Sequence, residues 1–393
     1  MDLAARMSRL GTETAFEVLA RAQALEAQGR SVVHLEIGEP DFDTPVHIRE
    51  AAIEALQSGW THYGPSAGLK ELREAIARDI EKRRGLYVDP AQVVVTPGGK
   101  PILFYTMLSL LEEGDEAIYP NPGFPIYESM IDFVGAKAVP LHLREERNWS
   151  FDVDELASLI TPRTKLIVLN SPHNPTGGTL DRKTLAAIAA LAEKHPFMIL
   201  SDEIYSRMVY EGAHESIATF PGLKDQTILL DGFSKTYAMT GWRLGYGVMA
   251  KPLATHMARL MTNSNSCTNS FVQKAGVAAL EGPQDDAEAM IAEFGRRREK
   301  IVAGLNSLPG VTCTKPTGAF YAFPNITGTG YASADLARTL LDEAGVAVLS
   351  GTAFGKYGEG YLRLSYANSI PNLEKALERM GTWLEEKLRT RAR

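Results

Sequence analysis

Lys235 is set apart by its surroundings. It follows an apolar run at residues 227–230 across Asp231-Gly232-Phe233-Ser234 and has small and apolar neighbours. An amine at the end of a buried strand loses hydration. Its pKa falls, and the neutral form becomes the nucleophile that a Schiff-base lysine requires. Eight residues further on, Gly241-Trp242-Arg243-Leu244-Gly245 places a guanidinium beside glycines, a planar fork suited to phosphate. Taken alone, each cation also fits an ordinary surface position.

Other polar segments follow apolar runs in the same way. Residues 197–200 lead into Ser201-Asp202-Glu203-Ile204-Tyr205. A carboxylate leaving so apolar a strand is costly to bury unless a cation balances it. Asp202 therefore reads as the counter-charge of a cationic ligand group, with the Tyr205 hydroxyl nearby; a helix N-cap is the structural alternative. Residues 165–169 lead into Asn170-Ser171-Pro172-His173-Asn174-Pro175-Thr176-Gly177-Gly178. There the Asn174 amide can both donate and accept, although a rigid turn would have the same composition. Residues 92–96 lead into Pro97-Gly98-Gly99-Lys100-Pro101. The glycines allow close backbone approach and Pro101 suits a first helical position, so the amides form an anion cup that Lys100 assists. It is not a Walker loop, because neither the glycine spacing nor the Ser/Thr after the lysine is present. Late in the chain, Leu362-Arg363-Leu364 puts one arginine in an apolar strand, and an inward arginine seeks a carboxylate from protein or substrate.

The elements that must position these residues alternate. Apolar runs at 32–37, 92–96, 116–119, 165–169, 197–200, 227–230 and 244–249 read as strands, several of them apolar on successive positions, as in parallel strands covered on both faces. Helical patterns fall between them at 44–58, 69–84, 102–113 and 180–194. This rhythm predicts an α/β fold with a mostly parallel sheet, whose ligands gather outside the carboxyl ends of the strands. The stretch to Gly29 reads as one helix with Phe16, Leu19, Ala20 and Leu25 on one side. A different rhythm begins with an amphipathic stretch at 285–308, followed by a strand at 318–323 and helices at 332–344 and 370–388. Residues 45–285 are expected to form a large domain and residues 286–393 a smaller α+β domain, with residues 1–44 packing against the latter.

Composition limits the alternatives. At roughly 150 residues per domain, 393 residues suggest two or three domains. The chain is 45% apolar and 23% charged, with net charge −7, which favours a globular fold and argues against nucleic-acid binding. Cys267 and Cys313 are the only cysteines, too few for a disulfide framework or a cysteine zinc site, and the eight histidines form no paired motif. No signal pattern opens the chain and no apolar run of about 18 residues occurs. The expectation is a soluble cytoplasmic protein without metal, nucleic-acid or membrane partners.

In this order the motifs resemble the class I aminotransferases, pyridoxal 5'-phosphate (PLP) enzymes of fold type I. The resemblance runs from Leu35-Glu36-Ile37-Gly38-Glu39-Pro40-Asp41-Phe42 to the Arg363 strand and is nearest to the aspartate-aminotransferase-like subgroup. It implies that Lys235 carries PLP covalently and moves the substrate Cα proton, while Asp202 pairs with the pyridinium nitrogen. Tyr205 and Asn174 would bond the ring's phenolic oxygen, and Phe124, in Pro122-Gly123-Phe124-Pro125, would stack on the ring. Gly98, Gly99, Lys100, Ser234 and Arg243 would hold the phosphate. Arg363 would grip the α-carboxylate of an amino acid or 2-oxo acid, with Asn174 and Gly38 contributing. Tyr63, in His62-Tyr63-Gly64-Pro65, would reach the phosphate in a neighbouring subunit, which implies a homodimer with shared sites. The reaction implied is ping-pong amino transfer with 2-oxoglutarate and glutamate as one pair.

Two departures stand out. Gly232 occupies the position where many relatives have a serine, and no second arginine is evident for a side-chain carboxylate, a role that Lys100 can fill in this subgroup. Three rival readings compete with this one. A β C–S lyase or decarboxylase would use the same fold and cofactor, and a catalytically dead binding protein would lack the reactive residues. A serine hydrolase rests on Gly64-Pro65-Ser66-Ala67-Gly68, which matches a nucleophile elbow in letters but follows no apolar strand.

Overall fold

The computed structural model describes residues 2–391. Strand β1 (Val33–His34) lies apart from the main sheet. That sheet contains β2 (Val93–Thr96), β3 (Glu116–Asn121), β4 (Lys137–His142), β5 (Thr164–Asn170), β6 (Met198–Asp202), β7 (Thr227–Gly232) and β8 (Gly245–Val248). Its order is β2-β8-β7-β6-β5-β3-β4. The pairs β7/β6, β6/β5, β5/β3 and β3/β4 are parallel, whereas β8 runs antiparallel to both of its neighbours.

The successive apolar positions are explained by cover on both faces. Val94, Ala117, Tyr119, Val168, Leu200 and Ile228 pack under the helices Lys100–Leu110, Ile126–Phe133 and Lys251–Ser264. Val93, Val95, Leu229 and Val248 point the other way, under Val46–Gln57, Lys70–Arg84 and Ser270–Glu281. Ile118, Ile167 and Ile199 extend that second face under Arg182–Ala192. Burial of each such side chain contributes about 1.5–3 kcal/mol, so the sheet is a stiff platform for whatever leaves its strand ends.

A second hydrophobic cluster joins the 22-residue helices Asp285–Asn306 and Ile370–Arg391 to Val33 and Leu35. It includes Ala322 of β9 (Tyr321–Ala322), Val346 of β10 (Val346–Ala347), and Leu362 and Leu364 of β12 (Leu362–Ser365), whereas Leu349 of β11 (Leu349–Ser350) belongs to the cluster under Arg182–Ala192. β12 is the middle strand between β11 and β9, and β1 pairs in parallel with β10. None of the described helices is long and apolar enough to cross a membrane.

Three expectations need correction. The 32–37 strand pairs only at Val33–His34. Strand β4 is not evident from the sequence, because it lies at the sheet edge, is buried only on alternate residues and contains Pro140, which argues against a strand. The N-terminal helix is a short 3₁₀ turn at Ala5–Arg9 followed by Thr14–Glu26. Its packed side is Ala15, Val18, Ala22 and Leu25, while Phe16 is 59% exposed and Ala20 faces out. The helical period admits both stripes, and contact with the rest of the fold selects one.

Candidate active site

The polar segments singled out in the sequence converge on one cavity of about 530 Å³. Gly38, Gly99, Lys100, Phe124, Asn174, Asp202, Tyr205, Ser234, Lys235, Arg243 and Arg363 all line it. Most arrive from the carboxyl ends of parallel strands. Asn170 and Asp202 are register partners at the ends of β5 and β6, and Lys235 follows the end of β7.

Three ionisable groups withdrawn from solvent on this wall have no ion-pair partner among the described residues. Lys235 is part-buried, and its Nζ donates to the Gly38 carbonyl at 2.6 Å. Burial lowers its pKa to about 8; Glu39 opposes the shift, and Arg363 and Arg243 add to it. Asp202 is 7% exposed. Its carboxylate accepts from the Tyr127 hydroxyl at 2.6 Å and from the Ile204 amide at 3.3 Å. Burial pushes its pKa up to about 6 against those two hydrogen bonds. Arg363 is 4% exposed, in β12. One Nη donates to the Glu36 carbonyl and the other to Asn174 Oδ1 at 3.5 Å, while Nε has no partner. Its guanidinium lies 4.7 Å from the Tyr321 ring centroid and 5.2 Å from that of Phe354. Buried charge without a partner is costly, so these residues form a site made for ligand charge.

The glycine loop supplies another cradle. Gly99 caps the helix Lys100–Leu110 without a side-chain cap, and Pro101 lies in its first turn. Such a helix start offers free amides to an anion. Gly98 has φ +86°, and a Cβ there would lie 2.3 Å from Arg243 Nη2. Only glycine lets that guanidinium reach the loop. Arg243 itself adopts φ 55° and is exposed, a strained backbone of the kind found at functional sites. Gly232 sits in β7 opposite Gly245, where an added Cβ would lie 3.1 Å from the Gly245 Cα.

Several contributors escaped the sequence reading. Tyr127 lies one helical turn beyond Phe124, and the two rings meet edge to face at 5.6 Å. The Tyr321 hydroxyl lies 2.6 Å from that of Tyr205. Asn170 donates to the Asp202 carbonyl at 3.0 Å and accepts from the Asn174 amide at 2.9 Å. Behind the sheet ends, Arg84 bonds Glu203 at 2.8 Å and Asp231 at 2.5 Å, and His214 and Ser201 also reach Glu203. Glu203 thus turns away from the cavity and Asp202 into it. The spacing Phe124-x-x-Tyr127 was a usable signal; the Arg84 cluster had none. Tyr63 does not enter its own chain's cavity and is 89% exposed. Ser66 lies in a turn, where its hydroxyl accepts from Thr262 at 2.9 Å. No strand precedes it, so the elbow geometry is absent.

These groups suit a PLP molecule: an amine for its aldehyde, a carboxylate for its ring nitrogen, a glycine–arginine cradle for its phosphate, and a guanidinium left over for a substrate carboxylate. The comparisons agree. The family model for aminotransferase class I and II matches residues 30–380. The aspartate aminotransferase of Pyrococcus horikoshii is 43% identical over 374 residues, 94% of each chain. Aromatic-amino-acid aminotransferase 2 of Thermococcus litoralis is 40% identical, covering 98% of this chain and 99% of its own length. A crystal structure of the aspartate aminotransferase from Rhizobium meliloti superimposes with TM-score 0.94 at 36% identity, over 98% of this chain and 99% of that one. From the strand order to the glycine cradle, the chain belongs to the class I and II aminotransferases, PLP-dependent enzymes of fold type I.

Proposed function

We propose that this aminotransferase moves an amino group between an L-amino acid and a 2-oxo acid by a ping-pong mechanism, with 2-oxoglutarate and glutamate as one exchange pair. The observation that carries the reading is the set of unpaired charges, Lys235, Asp202 and Arg363, around one cavity. PLP, when bound, supplies an electron sink for the pair released from the substrate Cα–H bond. The chain's residues do the rest. Lys235 holds the cofactor and, once freed, takes the Cα proton on Nζ; a pKa near 8 keeps a useful fraction neutral at working pH. Asp202 balances the ring nitrogen. Tyr205 and Asn174 hold the phenolic oxygen, with Tyr321 orienting the Tyr205 hydroxyl. Phe124 stacks on the ring. Gly98, Gly99, the backbone amide of Lys100, Ser234 and Arg243 hold the phosphate, because Gly232 has no side chain to offer. Arg363 binds the α-carboxylate as a fork, with Gly38 and Asn174 beside it.

The same reading makes the enzyme a homodimer in which Tyr63 completes the partner's phosphate site. Its support is the exposed apolar group Val46, Ile53, Leu56, Trp60 and Tyr63, from 37% to 89% exposed within eighteen residues of chain. We take residues 45–285 as the large domain and 286–393 with 1–44 as the small one, supported by the separate clusters of apolar side chains. A cytoplasmic location fits two free cysteines. The test is a half-reaction panel. Enzyme in its aldehyde form is mixed with single amino acids, and one equivalent should convert to the amine form and return on addition of 2-oxoglutarate. Pyruvate and ammonia released from cystathionine without an oxo acid would instead assign the site to C–S bond cleavage.

A further inference from the structure

Besides its unpaired groups, the cavity wall holds one closed ion pair, between Lys100 Nζ and Glu13 Oε1. Glu13 is the residue just before the helix Thr14–Glu26, and 87 positions separate it from Lys100 in sequence. Its side chain is only 18% exposed, whereas that of Lys100 is 49% exposed. Lys100 also lies 5.6 Å from the Phe124 ring centroid. The Glu13 charge acts on Lys235, Tyr321 and Arg363, so it lies within reach of the groups assigned to a substrate's amine and α-carboxylate. Phe16, Ile37, Leu349 and Phe354 give the same cavity apolar walls. A further acid on the wall, Glu39, is bonded to the Thr240 hydroxyl and adds negative charge.

While the pair is closed, Lys100 is not free. A second carboxylate can gain Lys100 only by displacing Glu13, and like charges brought together at close range are disfavoured. An uncharged side chain meets apolar surface and pays no such penalty. We propose that Glu13 is a specificity-determining residue that competes with the substrate for Lys100: closed, the pair suits apolar and aromatic side chains; opened, it yields Lys100 to the side-chain carboxylate of a dicarboxylic acid. The proposal rests on the aminotransferase reading, in which one cavity must take two different amino acids in turn. No covalent step is added; only the partner of Lys100 changes.

The test uses the PLP-loaded enzyme and the variants Glu13→Gln and Glu13→Gln/Lys100→Met. Half-reactions with L-glutamate and L-phenylalanine give the ratio of their kcat/KM values. Binding of succinate, a dicarboxylate that cannot react, is measured by calorimetry. In Glu13→Gln, Lys100 is released, so the ratio should shift towards glutamate at least fivefold and succinate should bind at least fivefold tighter. The double variant should lose both gains. Ratio and affinity within twofold of the parent in a folded Glu13→Gln protein, or gains that persist without Lys100, would overturn the proposal. If the first variant fails to fold, Lys100→Met alone decides: succinate affinity within twofold of the parent would exclude Lys100 as the competed cation, and a fivefold loss would support it. Failure of the aminotransferase reading looks different: no amino acid converts the parent enzyme to its amine form, and the proposal falls with it.

Discussion

The Tyr127 hydroxyl donates to Asp202 across 2.6 Å, so the buried carboxylate at the end of β6 is held by a neutral donor and not by a cation. Such a bond steadies the charge and keeps it available to a ligand. A hydrogen bond to a charged group is worth about 1.5–3 kcal/mol. Tyr127→Phe should therefore raise the Asp202 pKa further and weaken PLP binding by about tenfold or more. Titration of the cofactor-free protein checks this, and an unchanged affinity would make Tyr127 a packing residue only.

Asp202→Asn should slow proton abstraction by orders of magnitude. A loss below about tenfold, or about 1.4 kcal/mol, would contradict the role assigned to the charge. The same substitution has an opposite effect on stability without cofactor. The folded pKa is raised from 3.8 to about 6, so the proton is bound more tightly in the folded state. That stabilisation is complete below about pH 4 and is lost as pH rises through 6. At pH 7.5 the cofactor-free Asp202→Asn protein should be more stable than its parent by up to about 3 kcal/mol, and the gap should close near pH 4. Urea titrations at the two pH values measure it.

Lys235 should take up PLP with a pH profile set by its lowered pKa. At a pKa near 8, about one amine in ten is neutral at pH 7, against about one in three thousand at 10.5. Covalent uptake by the cofactor-free protein should rise about tenfold per pH unit below 8 and then level off. A rate still climbing at pH 10 would mean an ordinary lysine. Borohydride reduction and peptide mapping should put the label on this residue, and Lys235→Ala should fold but not turn over.

Arg363→Lys keeps a charge and loses the fork. Amino-acid KM should rise at least tenfold, because an ammonium cannot bind a carboxylate through two parallel bonds. Steady-state kinetics suffice, and an unchanged KM would reassign Arg363 to structure.

Arg84→Met leaves Glu203 and Asp231 buried without their shared cation. Breaking a buried pair in this way costs about 3–5 kcal/mol. Chemical denaturation should show the loss, and a change below about 1 kcal/mol would mean that His214 and the neighbouring serines suffice.

Lys235, Asp202, Asn174, Arg243 and Arg363 could be singled out from sequence because each combines a telling side chain with an apolar run beside it, and strand ends are where an α/β sheet binds its ligands. The parallel sheet was readable for the same reason, since strands covered on both faces are apolar on successive residues. Strand β4 was hidden because it is an edge strand with only Val139 and Leu141 fully buried and a proline in its middle.

Tertiary structure alone decided which residues meet. Nothing local links Arg84 to Asp231, Tyr205 to Tyr321 or Glu13 to Lys100, because these contacts cross from 87 to 147 positions of chain. The period of a helix likewise allowed either side of Thr14–Glu26 to pack, and the surrounding fold chose the one that leaves Phe16 at the cavity. The sequence by itself determined the reactive side chains and the strand ends that present them, through patterns that span a few residues. Partner choice and side-chain orientation depend on packing between distant segments, and that information exists only once the chain has closed on itself.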